Sequence, residues 1–203
     1  MQTDQYQRVL AIAALTALVG LAFAPEPTQL ALAWERSTIF GGQFWRLWTA
    51  HWVHFSMAHA LVNIAVFVAA CTVAAATLGA RFIGWAIFIV SPVISIGLLI
   101  TSPTLVEYRG LSGLATAMTV AALYGLAYAH RSLRWVIAVL AITLLLKLVA
   151  EANGLTFSSH IHSLPEGASV EWRAHLIGAL SAIIYALSRS LRIMIRPAHA
   201  NLP

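Results

Sequence analysis

Tyr108-Arg109-Gly110-Leu111-Ser112-Gly113 runs without interruption into Leu114–Ala129, an uncharged apolar stretch. A short polar loop that opens directly into a membrane-length helix decides how the rest of the chain is read. Six such stretches can be marked: Val9–Ala24, Ala58–Leu78, Phe82–Ile100, Ser112–Ala129, Leu133–Ala150 and Trp172–Ile193. Each is close to the ~20 residues a helix needs to cross a ~30 Å hydrocarbon layer. Of the 203 residues, 60% are hydrophobic and 9% charged, where a soluble domain carries roughly 25% charged residues. The chain is therefore expected to be an all-α integral membrane protein, with one domain over 1–203 and an outer loop over 25–57. The single Cys71 has no internal disulfide partner. The basic residues are scattered through the loops and form no stripe, which excludes nucleic acid as a partner. Ala22-Phe23-Ala24 has the form of a signal-cleavage site, but Asp4, Arg8 and Pro25 predict that the first span is retained.

Orientation follows from arginine. Arg8, Arg81, Arg131, Arg134, Arg189, Arg192 and Arg196 share one face if there are six spans. The positive-inside rule then places both termini in the cytoplasm. The loops before Ser112 and before His175 (Ala174-His175-Leu176-Ile177-Gly178) both face outward. At ~1.5 Å per residue, the steps from His175 to Ser188 cover roughly 20 Å, which sets the imidazole several Å below the outer edge. A hydroxyl and an imidazole at the mouths of two lipid-spanning helices are costly to place there. Together they suggest a serine nucleophile and its base.

Small residues favour a close approach. Ser112, Ala115, Thr116 and Thr119 recur at helical spacing, and Gly178 and Ala182 follow His175 at i+3 and i+7. Such stripes let membrane helices pack backbone to backbone. Taken alone, they are explained equally well by ordinary packing with Ser and His as interhelical polar contacts. The start of the second span, His51-Trp52-Val53-His54-Phe55-Ser56-Met57-Ala58-His59-Ala60-Leu61-Val62-Asn63, adds weight. His59 and Asn63 lie one turn apart on one face, where with the Ser112 amide they suit an oxyanion. His54 is expected to tie the first loop to the helix end. With no His-Glu-x-x-His, cysteine cluster or acid among these histidines, no metal site is expected.

Missing acids narrow the chemistry. The only aspartate is Asp4, on the cytoplasmic side, and no glutamate falls within a marked span. A Ser-His-Asp triad is excluded, and so are aspartyl and His-Glu-x-x-His zinc mechanisms. The expectation is a Ser-His dyad whose base is oriented by packing instead of by a carboxylate. Lys147 and Glu151, at i, i+4, read as an interfacial ion pair.

Trp45-Arg46, the His54/His59/Asn63 spacing, Gly110-x-Ser112-Gly113 and Ala174-His175-x-x-Gly178 occur in this order. The set resembles the rhomboid intramembrane serine proteases. The resemblance implies a six-helix rhomboid-like bundle without cofactor, with Ser112 as nucleophile and His175 as base and then acid. It also implies His59, Asn63 and the Ser112 amide as oxyanion hole. Trp45, Arg46, His54, Gly110, Gly113, Gly178 and Ala182 would be supporting positions. Alanine at 182, where family members often carry glycine, keeps a small residue. Ala74-Ala75-Ala76 replaces an acid often found near the inner end of span 2.

The short length, Tyr-x-Gly-Leu-Ser-Gly, and Lys147 with Glu151 and Gly154 resemble more narrowly the rhombosortase branch of bacterial rhomboids. That likeness implies an inner-membrane protease facing the periplasm. Its substrates would be single-span membrane proteins with a C-terminal glycine-rich motif, a hydrophobic helix and a basic tail. Leu114-Ala115-Thr116 departs from the Leu-His-Gly continuation associated with the branch. The competing class is a catalytically silent rhomboid-like protein that binds membrane clients. Such proteins usually lack the serine or the histidine, and both are present here.

Overall fold

A computed structural model describes residues 20–21, 23–155 and 171–195. Most of the first marked span lies outside these residues, as does the question of its retention. Among the described residues five helices are long and apolar enough to cross a membrane: α4 (Met57–Leu78), α5 (Ala80–Thr101), α6 (Ser112–Ala129), α7 (Arg134–Ala152) and α8 (Trp172–Ile195). The marked boundaries agree with these to within two residues at each end. The chain is an integral multi-pass membrane protein.

The stretch expected as an outer loop, here called the outer segment, is more structured than a loop. It contains α1 (Glu26–Leu32), α2 (Arg36–Phe40) and α3 (Arg46–Thr49). A two-residue antiparallel ladder pairs β1 (Trp34–Glu35) with β2 (Glu107–Tyr108), Trp34 opposite Tyr108. This small sheet was not anticipated by an all-α reading. It fastens the outer segment to the loop that precedes Ser112.

α6 is the most enclosed of the spanning helices and α7 the least, 56% against 6% buried. The sequence explains the contrast. α6 is rich in glycine, alanine and threonine and presents backbone to its neighbours, whereas α7 carries leucine, valine and isoleucine suited to lipid. At the C-terminal end of α6, Gly125 lies against Thr77 of α4, where a Cβ would overlap the threonine Oγ1. At its N-terminal end, Gly113 lies against α8, with a Cβ only 3.0 Å from the Ala174 carbonyl oxygen. Thr116 and Thr119 donate back to the carbonyls of Ser112 and Ala115, at 2.9 and 2.8 Å. The stripe facing α8 is therefore Gly113 and Ala117, one position on from the Ser112-Ala115-Thr116-Thr119 set. Threonine hydroxyls satisfied within their own helix leave the glycine row to make the close contact.

α5 holds the outer segment through carbonyls. Pro92 lies inside this helix and has no N–H for the Phe88 carbonyl. Trp48 donates its indole N–H there at 2.9 Å. The Ser91 carbonyl accepts from His51 Nε2 at 3.0 Å, and the Ser95 carbonyl from the fully buried Trp34 at 3.1 Å. At the end of α5, Arg36 donates to the carbonyls of Leu98, Leu99, Ser102 and Leu105. A guanidinium there meets both the orphan carbonyls and the negative end of the helix dipole. Arg46, also buried, donates to the Leu30 and Ala33 carbonyls and to Gln43. These contacts join α3 to α1 and to the residue before β1. Trp45 is half exposed, its indole 3.5 Å from the Ala31 carbonyl.

Candidate active site

Three elements converge on the start of α6. Gly110 has φ +141, a conformation that side chains rarely adopt. A Cβ there would stand 3.1 Å from His59 Cε1, 3.4 Å from His59 Nε2 and 3.8 Å from Asn63 Nδ2. Both proposed oxyanion donors thus lie against the backbone two residues before Ser112. α4 brings them there because Ser56 caps it, accepting from the His59 amide at 3.2 Å. Asn63 is buried, and its Nδ2 has no hydrogen-bond partner among the described residues. A buried amide left without an acceptor is costly unless a ligand supplies one.

The other flank belongs to α8. Gly178 meets the Gly113 carbonyl so closely that a Cβ would overlap its oxygen, and Ala117 Cβ is 3.6 Å away. With Gly113 also against Ala174, the residues flanking Ser112 and His175 are in direct backbone contact. Ala174 and Ala182 are buried on the same helix. Ser112 is partly accessible and His175 is 4% exposed. No hydrogen bond joins the Ser112 hydroxyl to the imidazole among the described residues. The helices that carry them are nevertheless brought together at Gly113, Ala174 and Gly178.

One expectation is overturned. Glu151 lies in α7, and its carboxylate accepts from His175 Nδ1 at 2.7 Å, with both side chains buried. The His175 ring is oriented by a carboxylate, not by packing alone. Counting glutamates outside the marked spans set Glu151 just beyond the end of span 5, but α7 continues to Ala152 and carries it in. Lys147 holds the other carboxylate oxygen at 2.5 Å, so the i, i+4 pair is real. It forms one end of a Lys147–Glu151–His175 chain.

Several other polar groups around the serine loop are engaged. His54 Nε2 accepts from the Leu111 amide at 3.3 Å, and the His54 amide donates to Gln29 Oε1 at 2.9 Å. His54 thus ties the outer segment to the start of α6, and its ring also meets His59 at the start of α4 edge-on, 5.2 Å between centroids. The Gly110 amide donates to the Ala50 carbonyl at 3.1 Å. Tyr108 donates to the Gly110 carbonyl at 2.8 Å. Burial pushes the Tyr108 phenol up, against the opposing influence of hydrogen bonds with Ser112 and the Gly113 amide. Arg109 makes a two-pronged pair with Glu26 and a third contact with Glu107. Burial works against its charge, but these carboxylates outweigh it and raise its pKa. Sequence reasoning missed Tyr108 and Arg109 as parts of this scaffold. Their adjacency to Gly110 was the available signal.

Two of these histidines carry a pH dependence. Burial lowers His51 to about 4, and burial together with the neighbouring His59 lowers His54 to about 3, from 6.5. Both rings are neutral in the fold, while an unfolded chain takes up protons near 6.5. Their contribution to stability is complete above that value and is lost as pH falls toward 4. Thermal unfolding in detergent is expected to shift steadily downward between pH 6.5 and 4. An unfolding temperature flat across that window would contradict it.

Nothing among curated proteins matches the chain. The family described as Rhomboid domain matches residues 41–192, about three quarters of the sequence, including α4 to α7 and His59, Asn63, Gly110, Ser112, His175 and Gly178. The chain belongs to the rhomboid family.

Proposed function

We propose that this protein is an intramembrane serine endopeptidase in which Ser112 is the nucleophile and His175 the base. The observation that carries the reading is the backbone contact of Gly113 with Ala174 and Gly178, joined on the opposite side by His59 and Asn63 against Gly110. Rhomboid proteins are generally enzymes of this class, and both reactive residues are retained.

Ser112 Oγ attacks the scissile carbonyl carbon as its proton passes to His175 Nε2. The oxyanion takes hydrogen bonds from His59, Asn63 Nδ2 and the Ser112 amide. The carbon–nitrogen bond breaks, and the amine leaves with the proton from His175. Water then gives a proton to His175 and attacks the acyl-enzyme. The acid departs as the proton returns to Oγ. The substrate is a single-span membrane protein unwound near its outer end, because an intact helix hides its carbonyls. In the rhombosortase-like form of the reading, it ends in a glycine-rich motif, a hydrophobic helix and a basic tail. The enzyme then lies in a bacterial inner membrane with both termini cytoplasmic and the serine facing the periplasm.

A fluorophosphonate probe is expected to label the wild-type chain. Ser112→Ala and His175→Ala should lower labelling by at least ~10³-fold. Equal labelling of wild type and both variants would exclude the enzyme. Surface proteomics with and without the protein tests the substrate class: proteins with the tripartite tail should accumulate uncleaved without it.

A further inference from the structure

We propose that Glu151 is a positioning residue for the base, so that the site works as Ser112–His175–Glu151 with Lys147 behind it. This rests on the reading of Ser112 and His175 as nucleophile and base. A carboxylate oxygen 2.7 Å from Nδ1 can only accept, so the ring's proton sits on Nδ1 and its lone pair on Nε2. Nε2 is the nitrogen that must take the serine proton. The carboxylate also stabilises the imidazolium that forms when it does.

α7 gives the second argument. Ile137 and Glu151 are its only buried residues, and the rest of the helix is suited to lipid. If the contact served only to dock α7 on α8, an apolar side chain would do so without the cost of desolvating a charge. The carboxylate is instead fixed at both oxygens, by Lys147 on its own helix and by His175 on α8. Arg173, near the start of α8, pairs with Glu171 just before that helix. Sequence order hid the arrangement, because the acid follows the serine by 39 positions and precedes the histidine by 24.

The test uses the full chain in detergent micelles, with the fluorophosphonate labelling rate followed against pH and the ring nitrogens of His175 followed by 15N NMR. Glu151→Gln is expected to slow labelling by ~10²–10⁴-fold. It should also move the acidic limb and the His175 titration to lower pH, because loss of the adjacent anion weakens proton binding. Glu151→Asp should recover part of the rate and of the shift. Lys147→Met is expected to move His175 the opposite way, to higher pH, and it decides the matter if Glu151→Gln does not fold. Wild-type titration and tautomer in both Glu151→Gln and Lys147→Met would overturn the proposal, as would slower labelling with an unmoved limb. A chain that labels no serine but shows both NMR shifts keeps the positioning role and loses the enzymatic reading instead.

Discussion

Gly178→Val is expected to abolish labelling of Ser112 and to lower thermal stability markedly. The Gly113 carbonyl already occupies the space a Cβ would need, and both groups are backbone, so neither can swing aside as a long side chain would. Overpacking of this kind typically costs ~1–3 kcal/mol, and more where backbone must move. The catalytic cost is greater. Displacing one helix by ~1 Å misplaces the base relative to the serine, and such errors can cost ~10²-fold in rate. Gly178→Ala should show a weaker version of both effects. Unfolding temperature and labelling rate measured on the same preparations give the test. A valine variant with wild-type rate and stability would mean that α6 and α8 do not meet at this point.

Asn63→Leu separates catalysis from stability in the opposite sense. Asn63 Nδ2 is a buried donor without a partner among the described residues, so replacing the amide by an apolar group of similar size removes an unsatisfied group. The variant is expected to unfold at the wild-type temperature or above it. Its kcat should nevertheless fall by ~10²–10³, the usual effect of losing one oxyanion donor. KM should change little, because the interaction is made chiefly after the carbonyl becomes tetrahedral. An Asn63→Leu protein that is as active as wild type would remove Asn63 from the oxyanion hole. One that is merely unstable would recast it as a structural amide. The stability–activity trade expected here is common to sites whose donors await charge that exists only in the transition state.

The helices were readable because hydrophobic length and loop polarity are local properties of the chain. α6 begins and ends where its apolar run does. The glycines beside the reactive residues were readable as well, since small-residue spacing reports on close packing. The direction of the stripe was not. Thr116 and Thr119 bond within α6, and only the three-dimensional contact shows Gly113 and Ala117 turned toward α8. The outer segment was similarly opaque. Trp34, Trp48, His51 and Arg36 all find carbonyls of α5 or the loop after it, at sequence separations from 40 to 69.

By itself, the sequence determined a polytopic helical protein with a serine and a histidine at two helix mouths, and an amide and imidazole on a third. Those conclusions need only hydropathy, spacing and the scarcity of polar groups in lipid. Tertiary structure alone decided that the histidine has a carboxylate partner. Along the chain Glu151 falls one residue past an apolar run that ends at Ala150. A hydrogen bond, however, depends on where α7 ends and how it leans on α8, and that is set by packing between helices far apart in sequence.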